Sequence, residues 1–298
     1  MNKFSFSIVA CARWEDEFIV EWINYHQFIG FDHIYLYCND DDPSGLYEKV
    51  LPFIHPSNNF VTFHHFMFQG QQLEMYKHFI NNHVEETKWI IFLDIDEFLR
   101  LPKFEKIFDF VNRFSDDVDS IYIHWLLFGD NGYDVPPSGG VLRNFTRTEG
   151  RISNMMTKTL SRARIFKDYS VTTRYPNHIW HYLNSLRGYE FINVVDVLGS
   201  SMRYYYFSDD DAVAKNYLSN YDYNKKLVQT CCINHYIRRS KRNLRDRQLR
   251  GTLGDFKNQT TTTYNLGEEM WNSHEDSFLA ELWAEYIKQS YNTSIVPM

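Results

Sequence analysis

Three carboxylates directly follow a strongly apolar run in the segment KWIIFLDIDEFLRLP, residues 88–102. They belong to Asp94, Asp96 and Glu97, and carboxylates this close to a core are costly unless a cation compensates them. The run WIIFL predicts a buried strand, and residues i and i+2 of an extended segment point the same way, so Asp94 and Asp96 are expected to face one point. Two oxygen ligands suit Mg²⁺ or Mn²⁺ bridging to a diphosphate. In the alternative interpretation, one Asp caps a following helix and the other is solvated.

The residues after this pair weigh against two other kinds of Asp-x-Asp site. A calcium-binding EF loop needs a further acidic or amide ligand and then Gly, whereas Phe98 and Leu99 stand here. A phosphatase with an aspartyl nucleophile favours a small polar residue after the second Asp, and the sequence EFL follows instead. A metal-dependent phosphohydrolase therefore stays only as an outside alternative.

The first hundred residues alternate between strand-like and helix-like patterns. Strands are predicted at 4–11, 32–38, 59–66 and 89–96, and helices at 15–29, 45–54 and 71–86. Gly30 stands where the first helix is expected to end. Such alternation predicts an α/β fold with a mostly parallel sheet and helices on its faces. In such sheets ligands bind at the carboxyl ends of the strands, where Asp94 and Asp96 are expected.

After Pro102 the pattern loosens, and the second half of the chain is less regular. Helices are predicted at 104–114, 208–221, 240–250 and 267–289, and strands at 119–129 and 230–236. The stretch up to about residue 207 is rich in strand and loop patterns. With no repeat and no low-complexity linker, we expect one α/β domain.

Composition excludes some classes of partner and favours others. The net charge of −7 argues against a general attraction to nucleic acid or anionic lipid. Aromatic residues make up 17% of the chain, which suits stacking on sugars or bases but equally a Tyr- and Phe-rich core. The four cysteines, Cys11, Cys38, Cys231 and Cys232, lack metal-ligand spacing and predict reduced thiols. Since the sequence shows no signal peptide or membrane span, the cytoplasm is the expected location.

A set of motifs in a fixed order resembles those of glycosyltransferase family 92. The resemblance is to a bacterial-type member of that family. The motifs are EWINYHQFIGFDHIYLYCNDDDP, GQQLEMYKHF, WIIFLDIDEFL, HWLLFGDNG, KTLSR and INHYIRRSKRNLRDRQLRG. The resemblance runs from about residue 8 to 251 and implies a GT-A-like, Rossmann-like fold with a less regular acceptor-side half. It predicts a GT-A-like domain at 1–251 and a C-terminal helical extension, packed on the same domain, at 252–298.

The resemblance also implies roles for individual residues. Asp94 and Asp96 match a metal-binding pair that holds the donor diphosphate, and His235 matches a third ligand for Mn²⁺ (or Mg²⁺). Without the resemblance, His235 is more simply a core histidine. The residues matched to donor binding are Arg13, Glu15, Asn39, Asp40, Gln72, Lys158 and Arg239.

Several of these matches leave alternatives open. Trp14 stands where the family commonly has Asn, so its indole either stacks on the base or packs in the core. Asn39 and Asp40 equally suit a turn, and Lys158 and Arg162 equally suit surface charges. Of the basic run at 238–250, only Arg239 is assigned to the diphosphate, and the rest are expected at the surface.

The implied reaction is an inverting transfer of a sugar from a nucleotide donor, with UDP expected, to a hydroxyl of a glycan or lipid-linked glycan. Asp130 in FGDNG is the first candidate for the base, although a turn residue is the simpler interpretation; Asp134 and Glu190 are reserves. Trp125 is a candidate stacking wall. Surface polysaccharide synthesis, with peripheral association at the inner membrane, is the expected setting. The alternative is a non-catalytic nucleotide-sugar or glycan-binding protein of the same fold.

Overall fold

Parallel strands form the first half of a nine-stranded sheet in the computed structural model, which describes residues 2–67, 71–153, 156–168, 192–202, 217–250 and 268–292. These strands are β1 (Phe4–Ala12), β2 (His33–Cys38), β3 (Val61–His65) and β4 (Thr87–Phe92). They lie in the order β3-β2-β1-β4, and each neighbouring pair is parallel. The predicted α/β class is therefore confirmed.

Helices connect these strands, close to the predicted positions. They are α1 (Ile19–Phe28), α2 (Ser44–Ile54) and α3 (Gln72–Asn82). Helix α1 begins later than predicted because residues 15–18 form a turn, in which the backbone N–H groups of Phe18 and Ile19 donate to the Glu15 carbonyl. Helix α3 ends earlier than predicted, and a 3₁₀ helix (Val84–Glu86) follows it.

The second half of the sheet is mixed. Its strands are β5 (Glu97–Arg100), β6 (Ser120–Leu127), β8 (Thr157–Arg162), β9 (Val194–Asp196) and β10 (Cys232–His235). The sheet continues β4-β8-β6-β10-β5, with β9 also paired to β6. Strand β8 is antiparallel to both β4 and β6, whereas β10 is parallel to β6 and antiparallel to β5. Two further strands, β7 (Arg147–Thr148) and β11 (His274–Glu275), form a small separate sheet.

The strand before the carboxylates is shorter than predicted. It ends at Phe92, which is level with Val9 of β1, and the last bond of the ladder runs from the Leu93 N–H to the Val9 carbonyl. The chain then turns, and β5 begins at Glu97, a strand that the sequence pattern missed. Asp94 and Asp96 therefore lie in a connection between two strands rather than at the end of one extended segment.

The remaining helices are short except at the C-terminal end. They are α4 (Ile107–Val111), α5 (Val141–Asn144), α6 (Arg164–Asp168), α7 (Tyr221–Thr230), α8 (Lys241–Arg250), α9 (Glu268–Trp271) and α10 (Phe278–Asn292). The predicted helix at 267–289 is thus two helices separated by β11. Most of the predicted helix at 208–221 lies outside the described residues. Among the described helices, none is long and apolar enough to cross a membrane.

Apolar side chains of the central strands alternate between two buried clusters. Ile8 and Ile91 belong to the larger cluster, whereas Val9 and Ile90 belong to the smaller one, as the two-residue period of a strand requires. Helix α10 adds Trp283 to the larger cluster, so this helix packs on the same core. The division of the chain at residue 251 stays a prediction.

Candidate functional site

The carboxylate cluster, defined as Asp94, Asp96 and Glu97, lies where β4 gives way to β5. Asp96 and Glu97 are buried, and the Asp94 side chain keeps about a third of its exposure, 32%. The Asp94 N–H donates to Glu97 Oε2 at 3.0 Å, which fixes the turn. Three acidic groups in this small buried volume need positive charge close by.

Lys158 supplies part of that charge. Strand β8 runs antiparallel between β4 and β6 and carries Lys158, which is fully buried, opposite Ile123. Its Nζ lies 2.9 Å from Asp94 Oδ2 and 3.2 Å from Glu97 Oε2. Burial alone lowers the pKa of Lys158, but Asp94 and Glu97 more than offset it, so the pKa is raised. The predicted donor-site cation thus lies behind the carboxylates and neutralises them.

Arg247 compensates the second Asp. Its guanidinium, on α8, forms an ion pair with Asp96 Oδ2, although the sequence pattern placed it among surface charges. Burial raises the pKa of Asp96, but Arg247 and His235 reverse this, so the pKa lies well below its usual range. The basic run at 238–250 does not indicate which arginine turns inward. The sequence indicates only that three carboxylates need more than one cation.

Glu97 behaves differently from the two aspartates. Complete burial raises the pKa of Glu97 well above its usual range, and the opposing effect of Lys158 is smaller. The pKa of Asp94, by contrast, is lowered, because Lys158 outweighs burial and the neighbouring Asp96. Lys158 and Arg247 therefore favour the ionised form of the two aspartates, whereas burial favours the protonated form of Glu97.

His235 reaches the cluster through the ladder between β10 and β5. It is paired with Glu97 across that ladder, and the Tyr236 N–H donates to the Asp96 carbonyl at 2.8 Å. His235 Nε2 lies 3.5 Å from Asp96 Oδ1, and both ring nitrogens are buried without a hydrogen-bond partner among the described residues. The Trp125 ring packs edge-on at 4.4 Å, so this candidate stacking wall covers the imidazole.

The predicted metal ligands converge only in part. Asp96 and His235 present an oxygen and a nitrogen donor to each other, and an orphaned buried imidazole is a plausible ligand. Asp94 does not complete a three-ligand group with them among the described residues. Its carboxylate faces Lys158 and also accepts a hydrogen bond from Gln72 Nε2 at 3.2 Å. Two of the three predicted ligands therefore fit one ion.

A second group of predicted residues lies after β1. The Glu15 carboxylate and the Arg239 guanidinium form a buried bidentate ion pair, with N–O distances of 3.0–3.3 Å. Arg239 therefore contacts Glu15 and not the carboxylate cluster, and its guanidinium also covers the Phe18 ring at 4.0 Å. Arg239 holds a left-handed backbone conformation, with φ of 51°.

A cleft of about 200 Å³ joins these groups. Its walls include Trp14, Glu15, Arg239 and Arg247. Trp14 is 45% exposed and lines the cleft, so its indole is available for stacking, although the Arg13 guanidinium lies 5.1 Å from the ring centroid. Because Arg247 contacts Asp96 and also lines the cleft, the cleft and the carboxylate cluster are adjacent.

Asn39 and Asp40 hold the loops after β1 and β2 together. The Arg13 guanidinium donates to the Asn39 carbonyl at 2.6 Å, and the Trp14 N–H donates to Asp40 Oδ1 at 2.8 Å. Burial is the main cause of a raised pKa at Asp40. These contacts are those of a structural turn beside the cleft and position Trp14 at its rim.

The remaining candidates lie in different surroundings. Arg162 is paired with Trp89, toward the start of β4, and donates to the Val118 carbonyl, so it is away from the carboxylates. Asp130 Oδ1 accepts hydrogen bonds from the Gly132 N–H and from Asn272 Nδ2, which is turn geometry. Asp134 is exposed and pairs with Lys241. Glu190 lies outside the described residues.

Comparison with known proteins decides the family. The family model described as glycosyltransferase family 92 matches residues 3–227, which is most of the chain. The chain belongs to glycosyltransferase family 92. The match ends before β10, so His235, Arg239 and Arg247 lie beyond it, although the predicted resemblance extended to residue 251.

Three curated proteins that match the chain are family 92 proteins of plants. A family 92 protein of Ricinus communis is 26% identical over 226 residues, covering 72% of this chain and 37% of the relative. One of Oryza sativa subsp. japonica is 28% identical over 144 residues, covering 48% and 24%. The chain therefore spans well under half the length of these relatives. A bacterial-type member, as predicted, is not supported by them.

Solved structures resemble this family 92 chain only distantly. S. aureus TarS 1–349 in complex with UDP-GlcNAc is 15% identical with a TM-score of 0.39, covering 56% of this chain and 48% of that one. GalNAc-T7 with UDP, GalNAc and Mn²⁺ is 14% identical with a TM-score of 0.31, covering 42% and 24%. The fold class is therefore assigned from the strand order of the chain's own sheet.

Proposed function

We propose that this protein transfers a sugar from a nucleotide donor, with UDP as the expected nucleotide, to a hydroxyl group of a glycan. Family membership supports sugar transfer. The observation that carries the proposal is Arg247, which lines the cleft and contacts Asp96. A nucleoside in the cleft, stacked on Trp14, has its diphosphate at the carboxylate cluster.

Charge development on the leaving group sets the demands on the site. The bond between the anomeric carbon and the diphosphate oxygen breaks, and the diphosphate leaves with the electron pair. Fixed positive charge near those oxygens stabilises the transition state more than the ground state. Arg247 and Arg239, both in the cleft wall, supply it in this proposal.

Asp96 and His235 are the residues that would hold Mn²⁺ (or Mg²⁺). When bound, the divalent ion supplies positive charge to the leaving diphosphate. Asp96 is needed both by such an ion and by Arg247, so the two compete for its carboxylate. Lys158 keeps Asp94 ionised beside them and, with Gln72, fixes its orientation.

Inversion at the anomeric carbon needs one base to take the proton of the acceptor hydroxyl. Asp130 stays our candidate. It follows β6, whose Leu127 is paired with His235, and it is buried. The described hydrogen bonds reach only its Oδ1, which leaves Oδ2 for a proton.

The acceptor and the location are parts of the same proposal. A glycan or lipid-linked glycan is the proposed acceptor, as the predicted role in surface polysaccharide synthesis requires. All four cysteines are free thiols, which agrees with a reducing compartment such as the cytoplasm. Peripheral association with the inner membrane stays a prediction.

The test is release of UDP from a panel of UDP-sugars, with and without glycan acceptors. Acceptor-dependent release that is lost in Asp96→Asn and kept in Lys77→Met, an exposed residue of α3, supports transfer. Acceptor-independent release points to hydrolysis. Tight binding of a UDP-sugar without release favours the non-catalytic alternative. The absence of both binding and release would contradict the proposal.

A further inference from the structure

Three imidazoles meet at the edge of the sheet, away from the carboxylate cluster. His64 lies on β3, His78 on α3, and His83 directly after α3. The ring centroids are 5.0, 5.2 and 5.8 Å apart. Each residue offers one ligand atom, and these atoms lie within 4.8 Å of one another. A single ion can therefore contact all three rings of this group, which we call the histidine cluster.

Each ring keeps at least one nitrogen that has no hydrogen bond to a described residue. His78 Nδ1 is hydrogen-bonded to the Tyr37 hydroxyl at 3.0 Å, and His83 Nδ1 to Glu86 Oε1 at 2.7 Å. His64 Nε2 is buried and has no hydrogen-bond partner among the described residues. Metal-ligating histidines commonly have their second nitrogen fixed by a carboxylate or another polar group, as His78 and His83 do here.

Burial favours the neutral, metal-binding form of His64 and His78. Burial is the main cause of a lowered pKa at His64, to about 4, with His78 and His83 adding to it. The pKa of His78 is lowered by burial and by His83. Three protonated imidazoles at these distances would repel one another, whereas neutral rings are ligands without losing a proton. The alternative is simple packing, since His64 also stacks on Tyr37 at 4.9 Å.

We propose that His64, His78 and His83 bind one divalent transition-metal ion of the zinc class, with Tyr37 and Glu86 fixing the outer nitrogens. Three imidazole nitrogens suit Zn²⁺, and a water completes its tetrahedral shell. The hard ions expected at the carboxylate cluster prefer oxygen ligands, so the two sites select different metals.

The histidine cluster lies between β3 and α3, so an ion bound there has a structural role. An ion bound there links β3 to α3, whose first residue, Gln72, donates a hydrogen bond to Asp94. Binding to the folded state alone raises stability by mass action. The ion therefore holds the helix that orients Asp94, without touching the sugar donor.

The test uses the full chain, stripped of metal and titrated with Zn²⁺ alone against a competing chelator. We expect one equivalent to bind, and the visible spectrum of bound Co²⁺ to report tetrahedral nitrogen coordination. His64→Ala is expected to abolish this binding. Glu86→Gln, which keeps the three ligands, is expected to weaken it by about 10- to 100-fold.

Two matched controls separate this site from others. His55→Ala removes an exposed histidine outside the cluster, and Asp96→Ala removes a carboxylate of the other site; both are expected to keep one equivalent of Zn²⁺. Circular dichroism of each metal-free variant checks that it folds. No saturable Zn²⁺ binding by the wild type overturns the proposal. Zn²⁺ binding that survives in His64→Ala at wild-type affinity, or that is lost in a folded Asp96→Ala, also overturns it.

Discussion

The carboxylate cluster and the histidine cluster are both partly buried groups of potential metal ligands, but their charged neighbours differ. Each acid of the carboxylate cluster has a cationic side chain in contact, from Lys158 or Arg247. The histidine cluster consists of imidazoles, and its outer contacts are a hydroxyl and a carboxylate. A metal ion that binds Asp96 must displace Arg247 from the carboxylate cluster. A metal ion that binds the histidine cluster displaces none of the described cations.

This difference affects stability and ligand binding separately. The fully buried Lys158 cation is expected to be needed for stability, since a buried anion without a partner is costly. The imidazoles of the histidine cluster impose no such need, so the cluster is expected to tolerate substitution when no metal is supplied. Substitutions in each cluster test this difference in stability and metal binding.

The largest effect is expected for Lys158→Met. Removing this fully buried cation leaves Asp94 and Glu97 without their partner, and we expect the free energy of unfolding to fall by about 3–5 kcal/mol. Urea denaturation measures this directly. Lys77→Met, which removes an exposed partner of Glu74, serves as the control and should leave the midpoint unchanged. Equal midpoints for Lys158→Met and wild type would mean that the cation is not needed.

Glu97→Gln is expected to change the pH dependence of stability. Burial raises the pKa of Glu97 in the folded protein, so the folded state holds the proton more tightly than the unfolded state. Stability from this group is present below the unfolded pKa of about 4.3 and is lost as pH rises toward the folded pKa. The Glu97→Gln side chain does not ionise, so this loss of stability with rising pH is absent from the variant.

Denaturation at a series of pH values compares the two proteins. We expect the wild type to lose more stability than Glu97→Gln between acid and neutral pH. Asp94→Asn is the opposite control, because the pKa of Asp94 is lowered and its contribution is lost as pH falls. Parallel curves for wild type and Glu97→Gln would show that Glu97 is not protonated.

Zn²⁺ should stabilise the protein through the histidine cluster. At one hundred times its dissociation constant, an ion that binds only the folded state adds about 2.7 kcal/mol to the free energy of unfolding. Thermal denaturation with Zn²⁺ and with Mn²⁺ checks this, and only Zn²⁺ should raise Tm through this site. An equal rise in His64→Ala would place the effect elsewhere.

Arg247→Met is expected to tighten Mn²⁺ binding, because it removes the competitor for Asp96. A tenfold gain corresponds to about 1.4 kcal/mol, a modest effect for a partly buried ion pair. Calorimetry with Mn²⁺ measures it, with Arg245→Met on the exposed side of α8 as the control. Weaker Mn²⁺ binding in Arg247→Met would mean that the arginine supports the metal site.

Local patterns were enough to predict β1 to β4 and α1 to α3, because periodicity and glycine or proline positions are local signals. Strand β5 was missed because its partner is β10, more than a hundred residues later. The same long-range pairing decides the site. Lys158 was expected to contact the donor, but the antiparallel course of β8 directs it to Asp94 and Glu97, which the spacing of KTLSR does not reveal.

The sequence signal for the histidine cluster is weak. His64 stands in TFHHF, and His78 and His83 stand in KHFINNH. Nothing local indicates that β3 and the end of α3 meet. That contact depends on the parallel order of the sheet and on the side of the sheet where α3 packs, with Met75 and Phe79 in the smaller core cluster.

The most direct test of the proposed donor site is calorimetric titration of UDP, with and without Mn²⁺, on wild type and Asp96→Ala. We predict that UDP binds the wild type more tightly with Mn²⁺ and that this metal dependence is lost in Asp96→Ala. The variant must keep its thermal unfolding transition for the comparison to hold. UDP binding of equal strength with and without Mn²⁺, or no UDP binding by the wild type, would contradict the assignment of the cleft and the carboxylate cluster.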